Sequence, residues 1–144
     1  MIIAVDFDGT IVENAYPKIG KEIPFAIDTL LKLQEDRHQL ILWTCRVGSE
    51  LDAAVEFCRK RGLEFYACNK NYPEEKCDRD TPRKLTAELF IDDRNFGGMP
   101  DWGVIYAKIK NNDANTFNVD YKIERETKQK ENTFVRILKF FFGR

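Results

Sequence analysis

Three short apolar runs in this chain stop abruptly at hydroxyl or carboxylate side chains, and that pattern constrains the fold more than any other feature. Residues 1–5 are apolar throughout and end at Asp6-Phe7-Asp8-Gly9-Thr10. Residues 40–44 form a second run, with Thr44 at its end, and residues 87–91, apolar but for Glu88, a third, ending at Asp92-Asp93. Runs of about five residues with no polar alternation suit strands buried on both faces. Residues 63–68 and 104–107 read as two further strands.

Between the strands the period changes. Pro24 suits a first helical turn, and Phe25, Ile27, Leu30, Leu31 and Leu33 recur at helical spacing up to about Gln34. Ser49 reads as the N-cap of a second helix, with Leu51, Ala54, Val55 and Cys58 as its buried stripe. Arg59, Lys60 and Arg61 suit its C-terminal dipole, and Gly62 the residue just past its end. Residues 69–83 are polar, contain Pro73 and Pro82, and read as loop with at most one short helix. Strands alternating with helices predict right-handed crossovers, an α/β class and a mainly parallel five-stranded sheet. In such sheets ligands sit beyond the carboxyl ends of the strands. Asp6/Asp8, Thr44 and Asp92/Asp93 therefore converge on one site.

Composition narrows the function classes. Of 144 residues, 43% are hydrophobic, enough for one sizeable core, and the net charge of −1 gives no global pull toward nucleic acid or anionic membrane. No apolar run approaches the ~18 residues that cross a bilayer. Asp6 and Asp8 interrupt the first apolar run and no basic region precedes it, so it does not read as a signal peptide. Cys45, Cys58, Cys68 and Cys77 form no C-x-x-C pair and His38 is the single histidine, which disfavours a zinc site or a disulfide framework. They read as reduced thiols of a cytoplasmic protein. Cys45 lacks the arginine six positions on that a thiol phosphatase needs, since position 51 is leucine. His38 stands in a polar connection and is expected exposed.

A carboxylate that directly follows a buried strand is costly unless a cation or donors compensate it. Asp6 is so placed, and so is the adjacent pair Asp92 and Asp93, whose like charges repel. A shared magnesium ion, which prefers oxygen ligands, resolves both difficulties and spans two strands.

Asp6-Phe7-Asp8-Gly9-Thr10-Ile11-Val12 resembles the first motif of the haloacid dehalogenase superfamily. Thr44 after Leu40-Ile41-Leu42-Trp43 resembles the second, and Lys84 followed by Leu89-Phe90-Ile91-Asp92-Asp93 resembles the third and fourth. The resemblance covers roughly residues 1–107 and implies a Rossmann-like three-layer sandwich with strand order 3-2-1-4-5. It further implies a magnesium-dependent phosphatase. In it Asp6 is the nucleophile that forms an aspartyl-phosphate, and Asp8 the general acid and then base. Thr44 holds a phosphoryl oxygen and Lys84 neutralises charge, with Lys70 and Lys76 as rivals for that role. Asp6, Asp92, Asp93 and the backbone carbonyl of Asp8 serve the metal. Gly9, Thr10, Cys45 and Arg46 are candidate substrate-binding positions, with Tyr16, Lys18 and residues 69–72 on the rim.

Only 33 residues separate Thr10 from Thr44, and 18 separate Cys68 from Ala87, too few for an inserted cap domain. The site is expected to be open to a phosphorylated substrate whose identity the loops do not name. A catalytic core over 1–110 is followed by a polar segment and an amphipathic helix within 111–144, where Phe134, Ile137, Leu138 and Phe141 share one face. That face suits the core, a second copy of the chain or a membrane surface. A phosphotransferase, a nucleic-acid end phosphatase and a catalytically idle binding module are the competing functions.

Overall fold

The computed structural model describes residues 1–111, and residues 1–106 form one compact unit. Four strands, β1 (Ile2–Val5), β2 (Gln39–Leu42), β3 (Ala67–Cys68) and β4 (Leu89–Ile91), make a parallel sheet in the order β3-β2-β1-β4. Three helices, α1 (Ala26–Glu35), α2 (Gly48–Arg59) and α3 (Trp102–Lys110), complete the described elements. The second unit begins at Ala107, and the helix expected at 134–142 lies outside the described residues, as do its membrane and self-association readings. Among the described residues no helix is long and apolar enough to cross a membrane.

The register explains why the strand residues are apolar on both faces. Ala4 pairs with Ile41 and Phe90, and Ile41 with Ala67, so these side chains share one face. Leu85 covers that face, and the rings of Trp43 and Phe90 meet edge to face at 5.0 Å beside it. Ile3 pairs with Leu40 and Val5 with Leu42 on the other face. Ile3, Leu40, Ile41 and Leu42 are wholly buried. Each contributes about 1.5–3 kcal/mol relative to exposure.

Several expectations are corrected. Residues 104–107 lie within α3 and form no fifth strand, because Trp102, Ile105 and Ile109 are buried at helical rather than strand spacing. The ladder of β3 covers two residues of the expected 63–68, with Tyr66 N–H donating to Leu40 as its only lead-in. Leu63 instead closes the end of α2, donating its N–H to the Cys58 carbonyl, and Gly62 turns the chain there at φ +82°. Ser49 lies inside α2 and donates to Glu50, while Val47 is the N-cap. Pro24 and Phe25 precede α1, and Phe25 is exposed at φ +65° rather than part of the buried stripe. His38 is half-buried, 3.3 Å from the terminal amine, and burial followed by that positive charge lowers its pKa. All four cysteines are free thiols, and burial pushes the Cys58 thiol up to about 12, which leaves it inert.

The chain moves outward from β1 through β2 to β3, then returns to the opposite side of β1 as β4. A crevice therefore opens where β1 and β4 end side by side, the usual place for a ligand in a parallel sheet. Asp6 follows β1 directly and Asp92 follows β4 directly.

Candidate active site

The turn after β1 is built around a single carbonyl. Phe7 is fully buried, its ring edge-on to Phe57 of α2, and its carbonyl accepts from the N–H groups of Ile11 and Val12. Gly9 takes φ +90° and packs so close to Asp93 that a Cβ there would stand 2.3 Å from Asp93 Oδ2. Only glycine meets both conditions. Thr10, with no exposed surface, ties three segments together. Its hydroxyl donates to Asp6 Oδ2 at 3.2 Å and accepts from Asp93 N–H at 3.0 Å, and its carbonyl accepts from Trp102 Nε1 at 3.1 Å. Thr10 and Gly9, expected at the substrate, are thus braces behind the carboxylates and do not line the cavity.

Three carboxylates meet here. Asp6, Asp92 and Asp93 each offer an oxygen, all within 4.8 Å of one another. Burial, then the charges of Asp92 and Asp93, push the Asp6 carboxyl up to about 6 against the lowering effect of its hydrogen bonds. Burial and the neighbouring Asp92 raise Asp93 as well. Asp93 Oδ1 is buried without a hydrogen-bond partner. An unsatisfied buried carboxylate oxygen and a set of hard oxygen donors both fit a magnesium ion.

Across the crevice, Thr44 follows the end of β2. Its N–H donates to Asn69 Oδ1 at 2.8 Å, and its hydroxyl oxygen accepts from Arg46 N–H at 3.2 Å. That acceptance leaves the hydroxyl proton free to donate to an anion. Asn69, directly after β3, sits at φ +54°, a conformation asparagine tolerates better than most residues. Its side chain bridges β2 to β3 through Thr44 and the Arg46 carbonyl. Sequence reasoning placed Asn69 only on the rim. A lone asparagine past a strand carries no stronger signal.

Arg46 is fully buried and forms a two-point ion pair with Asp8, Nε to Oδ2 and Nη2 to Oδ1, both at 2.7 Å. The hydrogen bonds to Asp8 raise the arginine pKa, so its charge is permanent.

The cavity is about 460 Å³, lined by Asp6, Asp8, Asn14, Tyr16, Thr44, Cys45, Arg46, Asp92 and Arg94. Cys45 is exposed on its wall. Lys84 is not on that wall: it is exposed, with its ammonium 5.5 Å from the Phe90 ring centre. Lys70 and Lys76 do not line the cavity either. The cations on the wall are Arg46 and Arg94, and the side chain of Arg94 makes no hydrogen bond among the described residues. The sequence offered no reason to prefer Arg94, since an arginine after Asp92-Asp93 reads as a turn residue.

No family model matches the chain, and no curated protein matches it. Among solved structures it is similar to a conserved protein from Bacteroides thetaiotaomicron. Identity is 64%, the match covers 78% of this chain and 91% of that one, and the TM-score is 0.74.

Proposed function

We propose that this chain, which belongs to the family of the conserved Bacteroides thetaiotaomicron protein, is a magnesium-dependent phosphomonoester hydrolase of the haloacid dehalogenase type. One observation carries the reading: Asp6, Asp92 and Asp93 converge within 4.8 Å, and Asp6 and Asp92 share the wall of one cavity with Asp8 and Thr44. The strand order β3-β2-β1-β4 supports the Rossmann-like sandwich that the resemblance implies. An open site is supported too, because residues 13–25 and 69–88 carry no helix and, apart from an isolated bridge at Glu22, no strand that could build a cap.

Asp6, Asp92 and Asp93 would hold the magnesium ion, which when bound supplies positive charge against the phosphoryl oxygens. The chain's own groups do the rest. A carboxylate oxygen of Asp6 attacks phosphorus as the bond to the leaving oxygen breaks, giving an aspartyl-phosphate. Asp8, once protonated on a lone pair that its pairing with Arg46 leaves free, gives that proton to the departing oxygen, then takes one from the water that attacks the phosphoryl group and frees Asp6. Thr44 donates its hydroxyl proton to a phosphoryl oxygen, and Arg94 adds positive charge at the wall. Phosphoryl transfer requires mainly such positioning and charge neutralisation. With Lys84 away from the wall, Arg94 is the better placed cation.

The test is phosphate release from sugar phosphates, nucleotides, pyrophosphate and p-nitrophenyl phosphate, with magnesium and with EDTA. Magnesium-dependent release from at least one compound is expected. Magnesium binding without release from any of them would move the reading to a macromolecular substrate or a missing partner, and silence without magnesium binding would move it to the idle binding module.

A further inference from the structure

The guanidinium of Arg46 is committed to protein groups on all sides. Its Nε and Nη2 grip the two oxygens of Asp8, Nη2 also donates to the Lys18 carbonyl at 2.8 Å, and Nη1 donates to the Pro17 carbonyl at 2.9 Å. Four of its five N–H protons are thereby used. The faces of the group are occupied too, with the Phe7 ring centre 5.1 Å away and the Tyr16 ring centre 5.2 Å away. An arginine that is 1% exposed and so engaged has one proton left for a ligand. A substrate-binding role, the expectation from sequence, does not fit that geometry.

Asp8 by contrast has no other side-chain partner among the described residues, and it follows a strand end through the fully buried Phe7. The two parallel hydrogen bonds fix the plane of its carboxylate. The same fork holds the loop at Tyr16, Pro17 and Lys18, which forms a wall of the cavity at Tyr16.

We propose that Arg46 is a positioning residue: it aims the Asp8 carboxylate at the leaving group and fastens the 16–18 loop beside it. This inference rests on the phosphatase reading of the site. Its consequence is specific to leaving groups. An alkyl phosphate needs a correctly aimed proton donor, whereas p-nitrophenolate leaves with little help.

The experiment uses the full chain with magnesium and two substrates, glycerol 2-phosphate and p-nitrophenyl phosphate. Arg46→Lys keeps the charge but cannot span both oxygens of Asp8. Its kcat/KM is expected to fall about 100-fold for the alkyl ester and less than about tenfold for the aryl ester. Equal losses on both, or no loss, would overturn the proposal, because a merely structural role moves both alike. A second pair of variants covers the case in which Arg46→Lys does not fold. Asp8→Asn removes the charge that Arg46 compensates, so Asp8→Asn with Arg46→Gln leaves no uncompensated ion. On p-nitrophenyl phosphate the double variant is expected within about threefold of Asp8→Asn alone. A large further loss would mean that Arg46 contacts the substrate itself, and would overturn the positioning role. If the parent refuses glycerol 2-phosphate, the best alkyl phosphate of the panel above takes its place. A parent that releases phosphate from no compound of that panel would remove the phosphatase reading and this inference with it, an outcome distinct from equal losses in an active parent.

Discussion

At the scale of single residues, the carboxyl of Asp6 concentrates the chemistry. Burial and the charges of Asp92 and Asp93 raise it to about 6 from an ordinary value of 3.8. The folded protein therefore binds this proton more tightly than the unfolded chain does. The resulting stability is present below pH ~4 and is lost as the pH rises through about 6. In EDTA, Asp6→Asn is expected to melt at a higher temperature than the parent at pH 7, with the gap closing as the pH falls toward 4. Magnesium should raise the parent's melting temperature at pH 7 and narrow the gap. Thermal melts across pH with and without magnesium check this, and a gap independent of both would contradict the assignment. Asp6, Asp8, Asp92 and Thr44 were legible in the sequence because each interrupts or ends an apolar strand, where an uncompensated polar group is costly. Asn69 and Arg94 were not, because each acts from a loop where polar residues are the rule.

At the scale of elements, the turn after β1 depends on one glycine. Gly9→Ala puts a methyl group 2.3 Å from Asp93 Oδ2 and forces alanine to φ +90°. A cost of about 1–3 kcal/mol is expected from the backbone alone. The displaced Asp93 should also weaken magnesium binding more than stability loss explains. Calorimetric titration with magnesium at a temperature where the variant stays folded separates the two, and unchanged affinity would contradict the brace. A second prediction concerns the bridge from β3 to β2. Asn69→Ala removes the acceptor for Thr44 N–H and leaves a residue poorly suited to φ +54°. A loss of about 1–2 kcal/mol in denaturant unfolding is expected, together with a raised KM. A KM equal to the parent's would detach Asn69 from the site.

The helices α1 and α2 followed from apolar residues at helical spacing together with end signals such as Gly62, and the central strands from short apolar runs, whereas the peripheral elements did not follow. Residues 104–107 are apolar in a short run, and a run of four cannot by itself separate strand from helix. The burial of Trp102, whose indole donates to Thr10, and of Ile105 decided for helix. Residues 63–68 have strand character, but Leu63 is used to close α2, so pairing starts only at Ala67.

At the scale of the whole molecule, the sheet order brings the ends of β1 and β4 together, and the polar side chains beyond them become one cavity. No single motif builds that site: Asp6 and Asp92 are 86 positions apart and meet because their strands pair in parallel. The central claim is that phosphate passes through a covalent bond to Asp6. Its most direct measurement is acid quenching of the parent and of Asp6→Asn during turnover of p-nitrophenyl phosphate with magnesium, followed by peptide mass spectrometry. One phosphoryl group on the peptide that contains Asp6, absent from the variant and from samples in EDTA, is the expected result. A variant that keeps turnover within about tenfold of the parent, or a label found on another residue, would contradict it.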